Sequence, residues 1–168
     1  MPYEFNADEI FEIAEQIERN GARFYRKAAA TMAAQPEDKR MLEDLAAMED
    51  RHEQIFARMR AEVSEAEKAS TAFDPDGLAL SYARAMANGH VFDLKADAAE
   101  AAIDPSAANP MEGILKAAIQ REKDSVVYFL GMQELTGEAL GAQRVQGIVK
   151  EEMSHIALLS KRLSAIRK

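Results

Sequence analysis

Residues 42–63 read LEDLAAMEDRHEQIFARMRAEV, and large apolar side chains recur in this stretch every three or four residues. That spacing places them along one face of an α-helix, which turns once every ~3.6 residues. A glutamate and a histidine interrupt the same face. We call this face the seam of the helix, and it comprises Leu42, Leu45, Glu49, His52, Phe56, Met59 and Val63. The stretch therefore predicts a long helix with a carboxylate and an imidazole on its buried side.

Three further stretches repeat the pattern, so we expect four long helices. The seam of the first helix comprises Phe11, Ala14, Glu18, Gly21, Tyr25 and Ala28. The seam of the third comprises Met111, Leu115, Ala118, Glu122, Ser125, Phe129 and Met132. The seam of the fourth comprises Val145, Ile148, Glu152, His155 and Leu159, with Leu163 one place off register. A glutamate interrupts every seam midway along its helix.

Capping residues and breakers set the expected helix limits. Asn6 can cap the first helix, while Pro36 and Pro110 suit the first turns of the second and third. Thr136-Gly137 should end the third helix. We expect helices over residues 6–32, 36–63, 110–135 and 140–168.

The connections between these helices predict the fold. Runs of alternating β-branched residues, which would indicate strands, do not occur. Residues 64–109 contain several proline and glycine breakers around one or two short helices, so this segment reads as a crossover. Two short links and one long crossover between helices 2 and 3 predict an all-α, ferritin-like four-helix bundle. We expect residues 1–168 to form a single domain.

Composition limits the chemistry and the partners. The 168 residues include no cysteine, which excludes disulfides, thiolate metal sites and iron–sulfur clusters. The formal charge of −8 argues against nucleic-acid and anionic-membrane partners. No stretch approaches the ~18 consecutive apolar residues of a membrane span, and the first residues do not resemble a signal peptide. We expect a cytoplasmic protein.

The polar residues on the seams predict a site for two metal ions. Residues three apart on a helix share a face, so each Glu-x-x-His pair offers an oxygen and a nitrogen to one point. The single glutamates of the other two helices can bridge or flank the metals, as in di-iron and di-manganese bundles. One Glu-x-x-His spacing is common by chance, whereas its recurrence at matched depth is not. The predicted ligands are Glu18, Glu49, His52, Glu122, Glu152 and His155.

Electrostatics favours bound cations at these positions. Burying an ionised carboxylate costs several kcal/mol, and a domain has only about 5–15 kcal/mol of stability in total. Two divalent ions would balance the four negative charges, which makes metal binding a better interpretation than four glutamates that are each solvated or ion-paired. Ligand type suits iron, manganese and zinc alike.

Four stretches of the chain resemble the rubrerythrin branch of the ferritin-like superfamily. They are residues 17–25 (IERNGARFY), 49–52 (EDRH), 121–125 (REKDS) and 151–155 (EEMSH). The resemblance implies a non-haem di-iron site formed by the six ligands above, and it makes iron (Fe2+/Fe3+) the preferred metal. It also implies a role in handling peroxide, oxygen or iron. Tyr25 matches a tyrosine beside the metals, where its hydroxyl could bond a ligand carboxylate, although a packed aromatic is the alternative.

The chain departs from this family in three respects. The four cysteines of a rubredoxin-like domain are absent, so electrons would have to come from a separate donor protein. Ser125 stands where the family has an additional glutamate, which leaves open whether the family's exchange of a carboxylate for a histidine ligand occurs. Phe129 rather than Tyr128 falls on the seam, so we expect only Tyr25 near the metals.

Two further residues have simpler interpretations. Glu151 precedes a predicted ligand but points ~100° away around the helix, so it should be solvated or paired with a basic neighbour. His90 has no acid at ligand spacing beside it, and we expect no metal role for it.

Three functions fit these expectations. The first is an oxidoreductase that reduces hydrogen peroxide or oxygen with electrons from an external donor, as a homodimer or small oligomer. The second is ferritin-like oxidation, storage or sequestration of iron, which would require a large hollow shell. The third is a purely structural metal site, similar to a scaffold held together by zinc.

Overall fold

The computed structural model describes residues 7–32, 34–63, 82, 102–136 and 141–167, and no strand occurs among them. The prediction of an all-α chain is therefore confirmed. The long helices are α1 (Ala7–Thr31), α2 (Pro36–Glu62), α3 (Pro110–Thr136) and α4 (Ala142–Ile166). Their limits agree with the predicted limits to within two residues. The predicted cap, Asn6, lies outside the described residues.

Local geometry explains where α2 and α4 begin. Pro36 occupies the first turn of α2, where the missing N–H of proline costs nothing. α4 begins two residues later than predicted because Gly141 adopts φ 92°, a left-handed conformation that cannot belong to a right-handed helix.

The helices pair as two antiparallel hairpins, α1 with α2 and α3 with α4. In the first hairpin, Arg60 lies near the end of α2 and Asp8 at the start of α1. Arg60 donates to both carboxylate oxygens of Asp8 at 2.8 Å. In the second hairpin, Arg167 follows α4 and donates to Glu112 near the start of α3 at 2.9 Å. Short connections between antiparallel neighbours produce this pairing.

Ion pairs between α2 and α4 show how the two hairpins are oriented relative to each other. Arg162 donates to Asp38 at 2.7 and 2.9 Å near one end, and Arg144 donates to Glu62 near the other. α2 and α4 are therefore antiparallel, so α2 and α3 point the same way. A chain that leaves the end of α2 must travel back along the bundle before α3 can begin. The bundle with one long crossover between helices 2 and 3 is confirmed.

Part of the crossover contacts α3. The Tyr82 hydroxyl donates to the Val127 carbonyl oxygen at 2.6 Å, and its ring lies against Gly131, where a Cβ would clash with it. His90 and the predicted short crossover helices lie outside the described residues. That residues 1–168 form one domain stays a prediction.

The interior contains two apolar clusters, one towards each end of the bundle. The first is built from Ile10, Phe11, Ala14, Ile17, Phe56, Met59, Val63, Tyr128, Phe129, Met132, Val145, Ile148 and Val149. The second is built from Phe24, Tyr25, Ala28, Ala29, Met32, Leu42, Leu45, Ala46, Met111, Ile114, Leu115, Ala118 and Leu159. The predicted seams are buried throughout except at Leu163, which is half-buried because it is off register.

Within the described residues, no helix combines the length and the apolar character that crossing a bilayer would require.

Candidate metal centre

All six predicted ligands meet in a polar layer between the two apolar clusters, and none is more than 4% exposed. One glutamate comes from α1, one from α3, and a Glu-x-x-His pair comes from each of α2 and α4. Each lies midway along its helix, where the seam turns it inward. We call this set the Glu/His cluster, and its members are Glu18, Glu49, His52, Glu122, Glu152 and His155.

The Glu/His cluster divides into two overlapping groups, each able to hold one cation. The first group is Glu18, Glu49, His52 and Glu152. The second group is Glu49, Glu122, Glu152 and His155. Within each group the ligand atoms lie within 4.8 Å of one another. Glu49 and Glu152 belong to both groups, so two bound cations would share these two carboxylates, whereas Glu18 and Glu122 would each hold one cation. The sequence had left this choice open.

Both histidines direct Nδ1 towards the carboxylates. His52 Nδ1 lies 2.8 Å from Glu152 Oε1 and 3.6 Å from Glu18 Oε2. His155 Nδ1 lies 3.4 Å from Glu152 Oε2 and 3.6 Å from Glu122 Oε2. The two imidazole rings stack with their centroids 5.9 Å apart and 18° between their planes. Nδ1 is therefore the nitrogen that each histidine would offer to a metal.

Among the described residues, eight buried side-chain atoms lack a hydrogen-bond partner of acceptable geometry, and all eight belong to the Glu/His cluster. His52 Nδ1 approaches Glu152 Oε1 to 2.8 Å without forming a hydrogen bond. Leaving such groups unpartnered costs about 1–3 kcal/mol each, and more when they are charged. Carboxylate oxygens and imidazole nitrogens are ordinary ligands of divalent iron, manganese and zinc. The residues therefore fit a pair of such ions.

Burial dominates the acidity of the glutamates. It raises the pKa of Glu18, Glu49 and Glu122 well above the usual range, because the charged form loses its hydration and faces other carboxylates. Burial also acts to raise the pKa of Glu152, but the nearby Glu122 and the two histidines, which lie close to its oxygens, lower it overall. Glu152 thus carries negative charge most readily of the four.

The histidines are shifted towards their charged form. Burial alone lowers the pKa of each, but Glu152 outweighs it and raises the pKa of His52 to about 9. Glu122 and Glu152 similarly raise the pKa of His155 to about 10. Without cations the Glu/His cluster therefore retains protons at neutral pH. Binding of cations would displace them, because a metal needs the unprotonated imidazole.

A buried tyrosine fixes one of the flanking carboxylates. The Tyr25 hydroxyl donates to Glu122 Oε1, and burial raises the pKa of Tyr25 well above its usual value, so the hydroxyl remains a donor. This is the contact that the sequence suggested. Tyr128 is also buried although it lies off the seam, and its hydroxyl donates to the Ile10 carbonyl oxygen at 3.0 Å. Phe129 lies in the first apolar cluster, as predicted.

Two residues matter more than the sequence indicated. Glu151 pairs with Arg51 as expected, but its Oε2 also lies 3.2 Å from His52 Nε2. No spacing within α4 reveals this contact, because the partner is on α2. Gly21 is buried against Glu49, and a Cβ there would lie 2.8 Å from Glu49 Oε2. The sequence did contain a signal for this close contact, which was a glycine on the seam one turn after the predicted ligand Glu18.

Ser125 occupies the position of the family's additional glutamate. Its side chain is buried, with 7% exposure, on the same face of α3 as Glu122. The described residues therefore supply four glutamates to the Glu/His cluster rather than five.

Comparison with known proteins supports the fold. No family model matches the chain, and neither does any curated protein. Among solved structures, the chain is similar to a proposed ferritin-like diiron-carboxylate protein from Thermotoga maritima. The two are 21% identical with a TM-score of 0.72, and the similarity covers 96% of this chain and 97% of the other. At this identity the likeness shows the fold, which is the ferritin-like four-helix bundle.

Proposed function

We propose that this chain is a non-haem di-iron oxidoreductase of the rubrerythrin type. It would reduce hydrogen peroxide or oxygen with electrons from an external donor. The observation that carries the proposal is the buried pair of overlapping four-residue groups that share Glu49 and Glu152. An interior this rich in unpartnered carboxylates requires compensating positive charge.

Three features support iron as the bound metal. Oxygen and nitrogen ligands without thiolate suit it, although manganese and zinc share that preference. The fold is shared with a protein that is itself proposed to be a diiron-carboxylate protein. The motifs around the ligands resemble those of rubrerythrins. The six ligand roles, and a cytoplasmic location, are part of the proposal.

The side chains divide the work of the proposed reaction. Two bound iron ions would supply the two electrons that, with two protons, convert one hydrogen peroxide to two waters. Glu49 and Glu152 would fix the separation of the ions because each belongs to both groups. Tyr25 holds Glu122 in one orientation through its hydroxyl. The two apolar clusters keep bulk water from the layer, which strengthens electrostatic interactions within it.

The electron donor is proposed to be a separate protein. The 168 residues contain no cysteine, so this sequence cannot provide the four-cysteine iron site of a classical rubrerythrin. We further propose a homodimer as the working assembly.

An anaerobic titration tests the proposal. Metal-free protein should bind two Fe2+ per chain, and one equivalent of hydrogen peroxide should then oxidise both ions. Absorbance of the ferric product and consumption of hydrogen peroxide give the stoichiometry. Glu122→Gln should lower iron binding, whereas Glu62→Gln is the matched control, because Glu62 pairs with Arg144 on the surface, away from the Glu/His cluster.

The alternatives predict different results. Oxidation by oxygen, with ferric iron accumulating well beyond two per chain in a large assembly, would identify iron storage. Ferrous iron that peroxide leaves unoxidised would exclude the peroxidase. Tight binding of zinc with no oxidation chemistry of bound iron would identify a structural site.

A further inference from the structure

The two helical hairpins carry the same ligands at matching positions. Glu18, Glu49 and His52 of the first hairpin correspond to Glu122, Glu152 and His155 of the second. Exchanging the hairpins therefore exchanges the two groups of the Glu/His cluster. In such an arrangement, any contact made by one histidine has a counterpart at the other.

The counterparts outside the Glu/His cluster differ. His52 Nε2 faces Glu151, the residue that precedes Glu152 in the opposite motif. At the position that corresponds to Glu151 in the other hairpin, the residue that precedes Glu49 is Met48. A thioether is a weak hydrogen-bond acceptor, whereas a carboxylate is a strong one.

Glu151 is held in place for this contact. Its Oε2 accepts a hydrogen bond from Arg51 and lies 3.2 Å from His52 Nε2. The side chain is about half exposed, so the ion pair with Arg51 and the histidine contact restrain an otherwise mobile carboxylate. His52 itself is fully buried, with Nδ1 turned to the carboxylates of its group.

His155 has no equivalent restraint within the part of the chain that the structure describes. Both of its ring nitrogens are buried there without a hydrogen-bond partner. Met48 is only partly buried and packs against the second apolar cluster. A metal on Nδ1 of His155 would leave its Nε2–H without a carboxylate to receive it.

We propose that Glu151 is a positioning residue that makes the His52 metal position the stronger of the two, so that the two positions fill in order. A carboxylate that accepts from the outer nitrogen of a histidine ligand fixes the ring and increases its basicity, and losing such a partner typically weakens metal binding 10–100-fold. This inference rests on the proposed binding of two metals. The inference concerns the difference in affinity between the two metal positions, which does not follow from the fold alone.

Stepwise titration of the full-length, metal-free protein with Co2+ tests the inference. Calorimetry and the visible Co2+ spectrum should resolve two steps whose dissociation constants differ at least tenfold. Glu151→Gln should weaken the first step by about 10–100-fold and leave the second unchanged, so the steps merge. Met48→Glu should instead tighten the second step, an effect that a merely structural role for Glu151 does not predict.

Further variants locate and control the effect. In a His155→Ala background, which keeps the first group, Glu151→Gln should still weaken binding. In a His52→Ala background it should have no effect. Glu62→Gln removes a comparable ion pair between α2 and α4, with Arg144, and should leave both steps unchanged.

The outcomes separate the two proposals. If the protein binds no Co2+, the metal site itself is wrong and this inference falls with it. If two Co2+ bind with equal affinity, or if Glu151→Gln leaves the first step as it was, the metal site stands and the inference is overturned.

Discussion

Replacing Gly21 with alanine perturbs one shared carboxylate and little else. The added Cβ would lie 2.8 Å from Glu49 Oε2 and 3.1 Å from Glu49 Cδ. Ordinary contact begins near 3.4 Å, so the carboxylate end must move by about 0.6 Å. Functional side chains must usually be held within about 0.5 Å of their working positions. Because Glu49 belongs to both groups, the movement should affect both metal positions.

The expected magnitudes differ between the metal-free and metal-bound forms. Without metal, the clashing atoms are the free end of a flexible side chain, and alanine favours the helix over glycine by about 0.8–1.0 kcal/mol. The melting temperature should then change by no more than about 2–4 °C. With metal, the carboxylate is pinned, and the affinity should fall by about 10–100-fold. That loss corresponds to about 1.4–2.7 kcal/mol.

Two measurements on each protein check this prediction. Circular dichroism gives the melting temperature of the metal-free form, and calorimetric Co2+ titration gives the affinities. Gly147→Ala is the matched control, since this helical glycine has no atom within 4 Å of an added Cβ. The control should stabilise α4 slightly and bind metal as the unchanged protein does.

One result would refute the reasoning. If Gly21→Ala binds two Co2+ with unchanged affinity, Glu49 cannot be a shared ligand in the position described. A large loss of stability in the metal-free form would likewise show that the contact is rigid packing rather than room for a ligand.

Three other predictions follow from the site and the core. The pKa of His52 is raised to about 9 and that of His155 to about 10, so their stabilising effect on the metal-free fold is full below pH 6.5 and lost as pH rises through 9 and 10. Urea midpoints of metal-free protein should fall over this window, and a flat profile would contradict the assigned contacts. Tyr25→Phe removes the hydroxyl that donates to Glu122. The change should destabilise the metal-free protein by about 1–3 kcal/mol and weaken one step of Co2+ binding about tenfold. An unchanged Co2+ titration would count against that hydrogen bond. Phe129→Ala empties part of the first apolar cluster and should cost about 3–5 kcal/mol in urea denaturation; a cost under ~1 kcal/mol would mean that the site is not packed as described.

The seams and the polar layer could be predicted from the sequence because each follows from spacing within one helix. A buried face repeats every three or four residues, so Glu18 and Glu122 were recognisable as polar interruptions at the middle of their helices. The equal position of these glutamates along the bundle axis then followed, because short loops place helices of similar length side by side. The topology was predictable for the same reason, since loop length decides which helices are antiparallel neighbours.

Contacts between helices were not predictable in this way. Which carboxylates two cations could share depends on how far one helix is shifted along another, and no spacing within a helix records that shift. The sharing of Glu49 and Glu152 therefore appears only in three dimensions. The contact of Glu151 with His52 is of the same kind. The start of α4 differs by two residues from the predicted start because the left-handed conformation of Gly141 is a property of the turn.

The two apolar clusters have a consequence for selectivity. They fill the bundle on both sides of the polar layer, so a reactant moving along the bundle axis would have to displace side chains such as Phe56 or Leu45, which are fully buried. Among the described residues, a half-exposed side chain, Glu151, reaches the polar layer from the side of the bundle through its contact with His52. Under the proposed function, this close packing along the axis would favour a small oxidant over a bulky organic hydroperoxide.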